Sequence, residues 1–144
     1  MTIHNLYIFD RNGTLLYYHE WARNKHTSMS KDEEAKLLYG MLFSLKSFVN
    51  KLSPSDMKEG FLSYKTSCYR LNFYETASRL KFILNTDNES SQAEIRELMA
   101  AIYTQIYVEY ASKSPMVVQG EMITSNLFRN KMNQFVQASP LFKS

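Results

Sequence analysis

IHNLYIFDRNGTLLYYHEW, running from Ile3 to Trp21, is the stretch on which the fold turns. Ile3 to Phe9 is apolar on both alternating faces, the pattern of a strand covered from both sides near the middle of a sheet. Asp10-Arg11-Asn12-Gly13 then punctuates the run. Asp opens a turn and Gly accepts a positive φ at little cost, so this tetrapeptide predicts a hairpin with a bulge. Thr14 to Trp21 is the predicted return strand.

Outward from the hairpin, a polar loop leads to Ser30-Lys31-Asp32-Glu33, where Ser followed by Glu at the third residue on is a capping box. The helix it opens is predicted to reach Leu52 and stop before Pro54. Leu38, Met41, Leu42, Leu45, Val49 and Leu52 recur at helical spacing and are expected to be its core stripe. Gly60 to Lys65, Tyr69 to Glu75 and Leu80 to Thr86 read as strands joined by tight turns. A second capping box, Ser91 to Glu94, opens a helix through Ile95, Leu98, Met99, Ile102 and Ile106, ending near Lys113 before Pro115. A last helix is expected from Ser125, burying Leu127, Phe128, the stem of Lys131, Met132 and Phe135. The order ββαβββαα makes an α+β domain. One helix can cover one sheet face and two the other, which accounts for strands that are apolar on both sides. The length of 144 residues suits a single domain, residues 1–144, with one core.

The side-chain inventory argues against an enzyme. One cysteine, Cys68, excludes an intramolecular disulfide and predicts a reducing compartment. The N-terminus lacks the pattern of a signal peptide, and no apolar run approaches the ~20 residues needed to cross a bilayer. A net charge of +3 is too mild to imply nucleic acid. The loose basic group Arg23, Lys25, His26 and Lys31 reads as a solvated loop or as a contact for acidic lipid or an acidic partner face. His4, His19 and His26 fall in separate segments without metal-ligand spacing, so no metal is expected. Four glycines in the chain cannot assemble a known phosphate cradle, and no cofactor is expected. Cys68 lies between two predicted strands, where an inert thiol is the natural reading. Arg70 nearby leaves modest reactivity open.

The first helix carries the interaction signal. At ~100° per residue, Phe43 falls roughly 140° from the centre of the expected core stripe. Tyr39 shares that flank, and Gly40, Ser44 and Ser47 form the opposite face. Gly in mid-helix costs roughly 1 kcal/mol against Ala, and a partner approaching closely supplies a reason for it. Tyr39, Gly40, Phe43, Ser44 and Ser47 are therefore the candidate partner interface.

Several motifs, taken in order, resemble a known family. IFDRNGTLLYY (Ile8 to Tyr18), Glu20-Trp21, LLYGMLFSLKSF (Leu37 to Phe48) and YETASRLKFILNTD (Tyr74 to Asp87) are followed by Tyr103, Tyr107 and Tyr110 ahead of Ala111 to Pro115, then GEMITSNLF (Gly120 to Phe128). Together they resemble the sybindin-like longin subunits of the transport protein particle, TRAPP, over nearly the whole chain. The resemblance implies a longin (SNARE-like, profilin-like) fold with a five-stranded antiparallel sheet. It implies a seat beside other TRAPP subunits, another longin-type subunit among them. It further implies a cytoplasmic, peripheral location at the cis-Golgi and endoplasmic reticulum, reached through partners. The assembled particle tethers vesicles and promotes guanine-nucleotide exchange on a Rab-family GTPase, using a surface shared among subunits. A longin-type small subunit of a vesicle coat or adaptor is the alternative. Family members often carry Pro-Thr-Gly where this chain has Ala77-Ser78-Arg79. Because Arg does not take a positive φ cheaply, another turn type is expected there.

Overall fold

Alternation along the strands decides which face each side chain takes, and a computed structural model shows how the helices share those faces. It describes residues 3–21, 31–52, 61–65, 70–76, 78–87, 92–113 and 122–139, with side chains in the first helix described at 33–41, 43 and 44. The strands are β1 (Ile3–Phe9), β2 (Leu15–Glu20), β3 (Phe61–Lys65), β4 (Arg70–Glu75) and β5 (Lys81–Thr86). They form a five-stranded antiparallel sheet in the order β2-β1-β5-β4-β3. The helices are α1 (Lys31–Leu52), α2 (Gln92–Ala101) and α3 (Asn126–Ala138).

β1 lies between β2 and β5 and is buried on both sides, as its two-faced apolar pattern requires. Leu6 and Ile8 join Phe82 and Leu84 of β5 on one face, against Ile95, Leu98 and Met99 of α2 and Phe128, Met132 and Val136 of α3. Tyr7 and Phe9 join Leu71, Phe73 and Ile83 on the other face, against Ala35, Leu38 and Tyr39 of α1. Two register shifts adjust the alternation. One falls between Ile3 and Asn5 against β5, and Ile3 packs with Leu6 and Ile8. The other sets Phe9 opposite Leu15 and Ile8 opposite Tyr17, leaving Leu16 as the extra residue of a bulge. Leu16 and Tyr17 consequently both enter the α2–α3 core.

Gly13 takes the positive φ the hairpin reading assigned to it, at 85°. Asp10 fixes the turn by accepting from the backbone N–H groups of Asn12 and Thr14 through Oδ1, both at 2.9 Å. The β4–β5 turn departs from expectation: Arg79 occupies a left-handed conformation, φ 70°, despite its Cβ. The turn is held by Arg79 N–H donating to the Thr76 carbonyl at 3.0 Å and Thr76 N–H donating to the Leu80 carbonyl at 2.9 Å.

α2 continues as a π-helix from Ile102 to Ser112, whose wide turns need about 4.4 residues each. Ile102, Ile106 and Ala111 are its buried residues, at spacings of four and five. α3 begins where its cap was expected: the Ser125 hydroxyl accepts from Phe128 N–H at 3.3 Å. Its buried line is Phe128, Met132 and Val136. Leu127, expected in the core, is instead 57% exposed, because this line turns it outward. Ser30, Cys68, Ser91 and the basic group Arg23, Lys25 and His26 lie outside the described residues.

Candidate partner-binding surface

Among the described side chains of α1, Ala35, Leu38 and Tyr39 meet the sheet; Leu42, Leu45, Val49 and Leu52 of the expected stripe lie outside the described set. At about 100° per residue the centre of this contact lies near Ala35, rotated about 60° from the stripe expected from the leucines. The correction falls on Tyr39 and Met41. Tyr39 does not point away from its own fold. Its ring packs on Phe9, with centroids 5.5 Å apart. Lys81 Nζ stands 5.6 Å above that ring. A Cβ on Gly13 would lie 3.0 Å from Tyr39 Cε1, so the turn glycine provides the seat for the ring. Met41, expected in the core, is 46% exposed.

Away from this contact, α1 exposes large apolar side chains beside Glu33 and Lys36. Phe43 is 64% exposed and Leu37 63%. Gly40 and Ser44 are exposed between them, and a Cβ built on Gly40 would meet nothing within 4 Å. Leu37, Gly40 and Ser44 lie opposite the contact, with Phe43 and Met41 exposed on the two flanks. Ser47 lies on α1, but its side chain is outside the described set. Of the candidate residues, Gly40, Phe43 and Ser44 are exposed, and Leu37 and Met41, which are not among the candidates, are exposed as well. The signal that sequence reasoning lacked was Ala35, a small residue that marks the line of closest approach to the sheet.

Elsewhere a set of polar groups ties the end of the sheet to α3. Tyr17 Oη and His19 Nδ1 share a hydrogen bond of 2.8 Å. Trp21 Nε1–H donates to Asn133 Oδ1 of α3 at 2.8 Å, and the His19 and Trp21 rings lie 4.3 Å apart. Burial, reinforced by the nearby Arg129 charge, lowers the His19 pKa to about 4. Burial pushes the Tyr17 hydroxyl up to about 12, with Arg129 opposing it. The Tyr107 hydroxyl is raised by burial, then by Tyr103 and by Asp10. The imidazole, held neutral by burial and tied to a protonated phenol, braces β2 beside the Trp21–Asn133 bond that joins the end of that strand to α3. Among the described residues no group of His, Cys, Asp and Glu could hold a metal ion.

A three-helix α+β chain built this way has counterparts among solved structures. A Roadblock/LC7 domain from Streptomyces avermitilis matches at a TM-score of 0.55 with 14% identity, over 76% of this chain and 86% of that one. The likeness defines a class of fold. The model of the Sybindin-like family matches residues 3–139, and the chain belongs to that family. Trafficking protein particle complex subunit 1 of Rattus norvegicus is 48% identical over 144 residues, covering 100% of this chain and 98% of the relative. The subunit of the same name from Dictyostelium discoideum is 42% identical, covering 99% of each.

Proposed function

We propose that this chain is a non-catalytic core subunit of a TRAPP vesicle-tethering complex, with the longin form of the fold, and that the outward face of α1 is where a neighbouring subunit packs. The observation that carries the reading is the uncovered Gly40, with Leu37, Met41 and Phe43 exposed around it, in a chain of the Sybindin-like family. Apolar side chains around a position without a Cβ suit close approach of a second backbone, with the buried centre of the contact supplying most of its free energy. The particle acts on a Rab-family GTPase of endoplasmic-reticulum-to-Golgi transport through a surface shared among subunits, so the isolated chain has no exchange activity. Attachment to the early Golgi is peripheral and through partners. No helix of the described residues is long and apolar enough to cross a membrane.

The test pairs circular dichroism with affinity isolation of the tagged chain. Phe43→Glu is expected to keep the fold and to lose stoichiometric co-isolation of the other subunits. Gly40→Leu fills open space on the monomer and is expected to block assembly by bulk. Normal assembly by both folded variants refutes the interface. Co-isolation with large coat or adaptor chains assigns the protein to a coat instead.

A further inference from the structure

Two turns at one end of the sheet share a single plan. In the first, Gly13 N–H donates to the Asp10 carbonyl at 3.1 Å and Asp10 N–H to the Thr14 carbonyl at 3.0 Å. In the second, the same bonds run from Arg79 to Thr76 at 3.0 Å and from Thr76 to Leu80 at 2.9 Å. A side-chain oxygen braces each: Asp10 Oδ1 accepts from Thr14 N–H at 2.9 Å, and Thr76 Oγ1 from Leu80 N–H at 3.2 Å. Gly13 and Arg79 hold the same left-handed place, at φ 85° and 70°. Phe9 and Lys81 are direct strand partners, so the turns stand side by side, on strands about 4.8 Å apart.

Glycine occupies that place without strain, and arginine does not. Nothing inside the fold offsets the strain through the Arg79 side chain. It is exposed, and its guanidinium has no partner among the described residues. Arg11, on the neighbouring turn, is likewise exposed and unpaired among them. The other charges here are engaged. Lys81 lies 3.7 Å from Glu75 and over Tyr39, and the Asp10 carboxylate accepts from its own turn. Two guanidinium groups are thus carried side by side with no side-chain partner among the described residues.

We propose that Arg11 and Arg79 bind carboxylates on an acidic segment of a protein partner. Guanidinium and carboxylate match in a planar, two-pronged geometry. The location favours protein: Tyr39 sits on Gly13, so the turns adjoin α1, whose outward side includes the next residue, Gly40, and exposed Leu37 and Phe43. An apolar centre with arginine at its rim is the anatomy of a protein interface. The proposal rests on the reading of α1 as a subunit contact and names the charge its partner carries beside it.

The experiment measures association of the full chain with its immobilised, co-purified partner subunits at several salt concentrations. Arg79→Gly is expected to fold with an unchanged or higher Tm, because it relieves the strain. Combined with Arg11→Gln, it is expected to slow association about tenfold at low salt and to flatten the salt dependence, since charges at a rim act chiefly on the encounter rate. An unchanged rate and salt slope overturns the proposal. Loss of assembly in Phe43→Glu with no effect of the arginine pair removes the acidic contact and keeps the α1 interface. Slowed association in the arginine pair, with Phe43→Glu assembling normally, upholds the acidic contact and removes the α1 reading beneath it. Binding to phosphatidylserine vesicles that the arginine pair abolishes, with the association rate unchanged, assigns the arginines to a membrane surface and overturns the proposal.

Discussion

Replacing Gly13 by alanine tests how α1 is held in its orientation. Two costs add. A residue with a Cβ at φ 85° is strained by about 1–2 kcal/mol. The new Cβ also stands 3.0 Å from both Cε1 and Cζ of Tyr39 and 3.4 Å from Cδ1. The ring has little freedom to yield, being packed on Phe9 with Lys81 above it. Overpacking of this kind costs about 1–3 kcal/mol. The sum, about 2–5 kcal/mol, corresponds to a fall in Tm of roughly 6–15 °C for a chain of this length. Urea unfolding followed by circular dichroism measures it, in a cycle with Tyr39→Leu. With the tyrosine ring removed, Gly13→Ala should cost only the torsional part, giving a coupling equal to the overpacking cost, about 1–3 kcal/mol. Arg79→Gly is the internal control: the same torsional cost is relieved at the matching place in the other turn, a gain of about 1 kcal/mol. Strictly additive costs for Gly13→Ala and Tyr39→Leu would show that the ring does not rest on the turn. A cost below about 0.5 kcal/mol would show that residue 13 is not left-handed.

Three further outcomes are expected. His19 has a folded pKa of about 4 against an ordinary value of 6.5, so its contribution is complete above pH 6.5 and is lost as pH falls toward 4. The loss is no more than about 3 kcal/mol for a partly exposed ring, and His19→Gln should flatten that part of the pH–stability curve from urea titrations. Phe128→Ala empties a fully buried site that meets Tyr17 edge-on at 4.8 Å. It should cost about 3–5 kcal/mol in the same assay. Ser125→Ala removes the α3 cap and should cost about 1 kcal/mol, with faster amide exchange confined to the first turn of α3.

The hairpin was legible because its signals are local. Asp10 and Gly13 dictate a turn whatever surrounds it, and the two-faced run Ile3 to Phe9 has no stable place except inside a sheet. Ser125 was legible for the same reason. What the sequence concealed was phase. The leucines of α1 suggested a contact centred away from Ala35, yet a small side chain is what lets a helix lie close to a sheet, and it carries little weight in a pattern of large apolar residues. Tyr39 was thereby placed outside and Met41 inside, each reversed in the structure. Leu127 failed similarly: apolar type alone put it in the core, while the line through Phe128, Met132 and Val136 turns it outward. The π-helical stretch was hidden because a spacing of four followed by five reads as an ordinary α-helix with one residue out of place. Arg79 shows the limit of propensity: the five-residue frame of the turn imposes a conformation that the residue itself disfavours.

The link between β2 and α3 has an optical consequence. The chain contains one tryptophan, and it is Trp21, bonded to Asn133 of α3 and in ring contact with His19. Every photon emitted by indole in this protein therefore originates at the seam where the last helix joins the sheet. Separation of α3 would wet the indole and move its emission to longer wavelength, while charging of His19 would place a quencher against it. The protein carries its own label for that seam, and the order in which its parts come apart can be followed without attaching a dye.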